Sequence, residues 1–264
     1  MHTWHWRNSE GLPYLTCSLL ESWDHGFFTQ QFWSRSPFEL TKVLQSEATG
    51  YRLKQVHGNQ VLTPSEIALN LQPVGDVEVE GDSALALGDG LISEKPQQGM
   101  WVASADCTPV LLADIKTGQV SAVHAGWRGT AAKIVPQAIA RLQQSGSNLT
   151  DLRIAMGPAI AGEVYQVSTQ VAAEVGASIL PHNDEDSMIK AMFELPNSPL
   201  LFDDNPGRVR LDVRRINALQ IEALGISPEN VAIAPYCTYQ TPDYFFSYRR
   251  EKQKKVQWSG IISK

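Results

Sequence analysis

Three side chains able to act as metal ligands, or as nucleophile and base, stand beside turn residues: His57 in KQVHG, Cys107 in ADCTPVLLAD and His124 in VHAGWRGT. A histidine ending a predicted strand is held rigidly yet can reach an open site, and Cys107 shares that setting between Asp106 and the start of an apolar strand. Two imidazoles and a thiolate make a three-ligand zinc set with the fourth position open for water, the arrangement of catalytic zinc. The same residues fit a metal-free hydrolase with Cys107 as nucleophile, His124 or His57 as base, and Asp106 or another carboxylate as orienter. They are far apart in sequence and lack Cys-x-x-Cys or His-Glu-x-x-His clustering, so spacing alone leaves open that each is a packed core residue.

A second chemistry belongs to Gly126-Trp127-Arg128-Gly129-Thr130, where a predicted strand passes into a helix. Glycines let backbone amides approach an anion, a helix start carries partial positive charge, and Arg128 adds a two-pronged grip on phosphate. The alternative is a tight turn with Trp127 in the core and Arg128 in solvent. In FFSYRRE (245–251), Phe246 close to two arginines suits a nucleobase with its phosphate or ribose, or an edge strand blunted by charge.

The elements that must position these groups read as follows. DGLIS, MWVASADCTPVLLAD and QVSAVHAG, between residues 89 and 126, are short apolar runs of buried strands, and DLRIAMGPAI (151–160) repeats the strand-then-glycine pattern. RLKQVHG (52–58) alternates like a strand, and VAIAP and YFFSYRR supply the last strands. TAAKIVPQAIARLQQSG has helical spacing with Thr130 as its predicted cap, but Pro136 requires that the helix be kinked or begin later. Ser168 caps a predicted helix over 168–180, and Asp212 caps the clearest one, whose stripe of Val213, Ile216, Leu219 and Ala223 ends at Gly225. Residues 64–83 are polar and punctuated by Pro and Gly, as a mobile surface loop would be.

Of 264 residues, 43% are hydrophobic, enough for one large domain or two small ones. The formal charge of −6 gives no electrostatic case for nucleic acid, which points to a small solute as partner. The N-terminus has no secretory pattern and no run reaches the length of a membrane span, so a soluble cytoplasmic protein is expected. Its 3 cysteines suit free thiols, metal or catalysis better than a disulfide framework.

Taken together, KQVHG, DGLIS, ADCTPVLLAD, VHAGWRGT, GPAI, LDVRRINALQIEALGI and CT followed by FFSYRRE occur in the order found in YfiH-type proteins, and the chain resembles that family from about residue 24 to its C-terminus. The family is named variously laccase-domain proteins, polyphenol oxidoreductases and purine nucleoside phosphorylases. The resemblance implies an α+β fold of α/β type, one domain over 1–264 with mixed β-sheets flanked by helices. It implies that His57, Cys107 and His124 are the metal and catalytic residues, with zinc the usual occupant and copper an alternative. It further implies phosphorolysis of adenosine, inosine and methylthioadenosine, with adenosine deamination, so the expected partners are a nucleoside and phosphate, with neither nucleic acid nor membrane. Arg128, Gly129 and Phe246 are the candidates for substrate and phosphate. Two departures stand out: Gln30 replaces the family's arginine after HGFFT, and Val164 and Gln166 stand where a cysteine and a glutamate are usual. The rivals are a copper-dependent polyphenol oxidase, the cysteine hydrolase, and the peptidoglycan editing attributed to some relatives. With 6 histidines and no His-x-His pair, the chain does not readily furnish a multicopper cluster.

Overall fold

The computed structural model describes residues 2–70, 85–181 and 184–264. Among them the first sheet has six strands in the order β1 (Trp4–Ser9), β2 (Leu12–Cys17), β3 (His25–Phe28), β15 (Gln257–Ile262), β7 (Gln98–Ser104) and β4 (Thr49–Tyr51). The second is also six-stranded, running β14 (Val231–Ile233), β10 (Leu152–Met156), β8 (Thr108–Asp114), β9 (Val120–Ala125), β6 (Gly90–Ile92) and β5 (Val61–Leu62). A third, three-stranded sheet orders β11 (Gln166–Ser168), β13 (Arg208–Leu211) and β12 (Leu200–Phe202). Both six-stranded sheets mix parallel and antiparallel pairs, so the expected α+β class with mixed sheets is what the chain adopts.

The continuous apolar runs of β8, β9 and β10 follow from burial on both faces. Side chains alternate across a strand, so Leu111, Ala113, Ala122 and Ala155 pack with Phe27, Met100 and Ile261 of the first sheet. The intervening Val110, Leu112, Val123, Ile154 and Met156 face the other way. There they meet Ile134, Val135, Ala138, Ile139 and Leu142 of α4 (Ile134–Gln144) and Ala218 and Ile221 of α7 (Val213–Ala223). The layers are therefore sheet, sheet, helices, and full burial of each large side chain contributes about 1.5–3 kcal/mol. His124 shares its β9 face with Ala122, which aims it into the seam between the two sheets.

Several local expectations are corrected. α3 (Trp127–Ala131) stops after one turn, Lys133 takes a left-handed φ of 59°, and α4 starts anew, so the helix begins later rather than bending. Pro136 then lies in the first turn of α4, where its missing N–H costs no hydrogen bond. Thr130 does not cap a helix: it is buried within α3, its carbonyl accepting from the Gln220 amide (2.8 Å) and its hydroxyl from the Asn217 amide (3.1 Å). Residues 52–58 form no strand beyond one bridge, Lys54 to Leu87, because the N–H groups of Val56, His57 and Gly58 go to the Asp89 carboxylate rather than to a neighbouring strand. YFFSYRR is not a strand either; its end forms the short helix α8 (Tyr248–Glu251), capped by Ser247. Of the predicted loop over 64–83, Pro64–Asn70 is the helix α2, entered by a reciprocal Thr63–Glu66 cap, and the remainder lies outside the described residues.

Ser168 and Asp212 cap α5 (Thr169–Gly176) and α7 as expected. Together with α6 (Glu185–Glu194) and the third sheet, α5 encloses a separate apolar cluster. α1 (Pro37–Leu44) packs beside β4 and carries a full capping box from Ser36 and Glu39.

Candidate metal centre and active site

His57, Cys107 and His124 arrive from three separate segments, and their ligand atoms all lie within 4.8 Å of one another. The two imidazole rings have centroids 4.9 Å apart and meet nearly edge to face, at 78°. Each residue is placed by a specific local device. Cys107 follows Asp106, whose φ of 94° is sustained by a carboxylate that accepts from the Thr238 hydroxyl (2.7 Å) and the Arg249 backbone N–H (2.7 Å). That turn is further tied by the Ile160 N–H donating to the Asp106 carbonyl at 2.9 Å. Asp106 is thus committed to holding the cysteine turn, and the orienting role open to it in the hydrolase reading falls to Asp89.

Asp89 is fully buried and gathers both histidines. Its Oδ1 accepts from His124 Nδ1 (2.8 Å) and the His57 N–H (2.9 Å), and its Oδ2 from the N–H groups of Val56 (3.1 Å) and Gly58 (2.8 Å). The His124 N–H donates to the Asp89 carbonyl at 2.7 Å. Three of these donors, the N–H groups of Val56, His57 and Gly58, hold the turn that gives His57 its φ of 61°. With Nδ1–H of His124 engaged, Nε2 is the atom that could serve as a ligand, the carboxylate–histidine pairing common behind metal centres. The cue for Asp89 lay inside DGLIS, a carboxylate and a glycine at the head of a buried strand.

Two glycines complete the cradle. A Cβ on Gly126 would lie 2.8 Å from Cys107 Sγ and 3.4 Å from His57 Cδ2, so only glycine clears the cluster. A Cβ on Gly129 would come 2.9 Å from the Gly58 carbonyl oxygen, so α3 can dock on the His57–Gly58 turn only with glycine there.

The electrostatics favour charged ligands. Burial pushes the Cys107 thiol up, but the charge and hydrogen bond of His124, aided by His57, pull it down to about 6. Burial opposes charge on His124, yet the Cys107 thiolate and Asp89 carry it up to about 9. Asp89 stays below the usual carboxylate range despite burial, because His124 and the amides of Gly58 and Val56 donate to it. Without metal, the centre is a thiolate–imidazolium pair backed by a carboxylate.

The cluster opens into a cavity of about 370 Å³. Among the described residues its walls carry Arg52, Lys54, Lys254 and Lys255 and no carboxylate, with Trp258, Tyr248 and Gln55 beside them. Gln55 fixes one wall by exchanging hydrogen bonds with both backbone groups of Ala103, at 2.7 and 2.8 Å. Arg52 lies over the Trp258 ring at 5.7 Å.

The remaining sequence candidates are placed elsewhere. Arg128 is exposed and stacks on Trp127 at 4.2 Å, Gly129 is buried under the His57 turn, and Phe246 is buried edge-on to Trp33 at 5.4 Å. None of them lines this cavity. Arg128 nonetheless acts, with Arg249, on the half-buried Tyr165, whose hydroxyl burial and the nearby Cys107 charge push up to about 12. Arg249 lies over the Tyr165 ring at 4.7 Å. Gln30, at the departure from the family pattern, donates to the Pro242 carbonyl (2.6 Å) and ties the N-terminal sheet to the C-terminal segment.

The family model described as "Multi-copper polyphenol oxidoreductase laccase" matches residues 38–263. The chain belongs to this family. It is 49% identical, over 98% of its length and 97% of the relative's, to a purine nucleoside phosphorylase of Synechocystis sp.. An adenosine deaminase from an unknown prokaryotic organism is 28% identical over 65% of this chain and 60% of its own. The crystal structure of the Bacillus licheniformis hypothetical protein YfiH shares the fold, with a TM-score of 0.75 at 23% identity over 98% of this chain and 99% of that one.

Whether the donors here suit an ion is decided by the cradle. A soft thiolate and two imidazoles meet where Gly126 leaves room, and a buried carboxylate orients one imidazole. Among the described residues no second group of three such ligands exists, which disfavours a multicopper cluster beside it. Among the same residues no helix is long and apolar enough to cross a membrane.

Proposed function

We propose that this chain is a zinc-dependent purine nucleoside phosphorylase that cleaves adenosine, inosine and S-methyl-5′-thioadenosine with phosphate and deaminates adenosine as a side activity. The observation that carries the reading is the convergence of His57, Cys107 and His124 on one wall of a cavity with cationic and aromatic lining. The 49% identical phosphorylase from Synechocystis sp. supports the reaction class, and the deaminase relative supports the side activity.

Zinc bound by His57, Cys107 and His124 supplies a Lewis acid that brings the acidity of water towards neutral pH. The chain's own residues do the rest. Asp89 fixes the His124 ring and keeps Nε2 aimed at the cluster, while Cys107 contributes its thiolate. Trp258 and Tyr248 offer flat faces for a purine, and the cavity's side chains displace water around it. Arg128 and Arg249, whose charges both act on Tyr165, are the groups assigned to the attacking phosphate. Phosphorolysis breaks N9–C1′ and joins a phosphate oxygen to C1′, with the phosphate proton passing to the base. Arg128→Ala then raises the phosphate requirement more than it lowers turnover at saturating phosphate.

The test is incubation of metal-quantified protein with each nucleoside, with and without phosphate, reading ribose 1-phosphate and free base. Phosphate-dependent release of both, in proportion to zinc content, is expected. Stoichiometric copper with strong phenol oxidation and no base release overturns the reading. One observation favours a second: Cys107, His124 and Asp89 also form a nucleophile, base and orienter in line. Activity that persists in verified metal-free protein selects it.

A further inference from the structure

We infer that the Tyr165 hydroxyl is a third donor to the attacking phosphate, alongside Arg128 and Arg249, and so a specificity-determining group for an oxyanion co-substrate. This deepens the phosphorylase reading and rests on it.

Tyr165 has a ring that the fold accounts for and a hydroxyl that it does not. The ring packs against Ile160, Ala161 and Cys237 and also borders the apolar cluster around the third sheet. Both backbone groups are held, the N–H donating to the Gly162 carbonyl (3.2 Å) and the carbonyl accepting from the Leu211 N–H (3.0 Å). Phenylalanine would serve all of these contacts equally. Yet the hydroxyl of this half-buried residue makes no hydrogen bond among the described residues, where a buried phenol ordinarily finds a partner.

The surroundings of the phenol suit an anion. Arg249 lies over the ring at 4.7 Å, kept there by its Nη1 donating to the Gln166 carbonyl (2.9 Å) and its backbone N–H donating to the Asp106 carboxylate (2.7 Å). Arg128 arrives from α3, stacked on Trp127, and Trp127 borders the same apolar cluster as Tyr165. The charges of both arginines reach the phenol. Asp106 reaches it too, but that carboxylate already accepts from the Thr238 hydroxyl and the Arg249 N–H. Two guanidinium groups and a phenolic O–H together offer only donors once an oxyanion is present, which is the set a tetrahedral phosphate needs.

The placement also ties this set to the metal centre. Asp106 directly precedes Cys107, and Ile160, against which Tyr165 packs, donates its N–H to the Asp106 carbonyl at 2.9 Å. Arg128 is two residues beyond Gly126, the residue that leaves room for Cys107 Sγ. None of Tyr165, Arg128 and Arg249 lines the cavity that carries Trp258 and Tyr248. Separate walls for phosphate and purine suit a displacement at C1′, where nucleophile and leaving base occupy different sides of the carbon.

Tyr165→Phe keeps the ring, its packing and the Arg249 stack. The experiment compares it with the intact chain at equal zinc content, varying phosphate at saturating inosine and then inosine at saturating phosphate. The phosphate KM is expected to rise about tenfold, the usual effect of losing one hydrogen bond to a charged group, with kcat and the inosine KM changed less. A variant that phosphorolyses inosine with an unchanged phosphate KM overturns the inference and leaves the phosphorylase reading standing. So does a rise confined to the inosine KM, or a fall in kcat alone, since either places the hydroxyl away from the phosphate. No base release by the intact chain, or release that does not depend on phosphate, overturns both readings.

Discussion

Replacing Asp89 by asparagine tests how far one buried carboxylate holds the centre together. The two oxygens receive four donors: His124 Nδ1 and the His57 N–H on Oδ1, and the Val56 and Gly58 N–H groups on Oδ2. An asparagine has one acceptor oxygen and an NH₂ group, so whichever way it turns, two of these donors face another donor. At about 1.5 kcal/mol for each lost charge-assisted hydrogen bond, the cost is about 3 kcal/mol before relaxation. For a chain of this size that lowers Tm by about 6–12 °C. Metal affinity falls as well, by about 10–100-fold, the usual effect of removing a carboxylate behind a ligating histidine. Zinc titration of Asp89→Asn against a competing chelator, beside thermal unfolding of the metal-free protein, separates the two effects. A variant with unchanged zinc affinity and unchanged Tm would refute the reasoning, since it would mean that the four contacts neither order the turn nor orient His124.

The other predictions address the same centre from its remaining sides. Cys107→Ala and His124→Ala each abolish nucleoside turnover and lower zinc content, read by metal analysis and base release; full zinc with full turnover in either would remove the residue from the centre. In metal-free protein the thiolate–imidazolium pair has a defined pH window. Cys107 is depressed, so its contribution is lost as pH falls through about 6; His124 is raised, so its contribution is lost as pH rises through about 9. Between about 6.5 and 9 the folded pair and the same two groups unfolded each hold one proton, so urea midpoints should be nearly flat there, whereas Cys107→Ser, which leaves His124 raised by Asp89 alone, should make them fall as pH rises; a profile unchanged in that variant counts against the pair. Gly126→Ala places a methyl 2.8 Å from Cys107 Sγ and should cost zinc affinity with the fold retained, measured by chelator competition beside circular dichroism.

How much of this was legible in the sequence depended on whether neighbours along the chain or distant side chains decide the local structure. β8 and β9 were readable because burial on both faces writes a continuous apolar run, and α7 because its Asp212 cap and Gly225 act within one helix length, although of its expected stripe only Val213 and Ile216 are buried, Leu219 being half-buried and Ala223 exposed while Ala218 and Ile221 face the core. The 52–58 segment misled because its alternation is real but its partners are not a strand: Gln55 bonds Ala103, and Asp89 takes the amides of the next three residues. In YFFSYRR, aromatic content signalled a strand, while the Ser247 cap and the carbonyls collected by Arg250 impose an irregular approach to a short helix.

The candidate site divides along the same line. Ligand types could be picked out singly, since few residues do that chemistry, and the family resemblance grouped them. What brings them together is β9's two-residue alternation aiming His124 at the sheet seam, Asp106 holding the cysteine turn, and Asp89 tying His124 to the His57 turn. None of these acts within a few residues of all its targets. Glycines carry the complementary lesson: Gly126 and Gly129 read as anion-binding turn residues, yet each is required because a second segment, Cys107 or Gly58, already occupies the space a side chain would need. A strand-end turn and a catalytic cradle thus carry the same local pattern, and only the segment packed against the turn distinguishes them. It follows that Gly129→Ala should disturb zinc binding through the His57 turn, although Gly129 contributes no ligand atom.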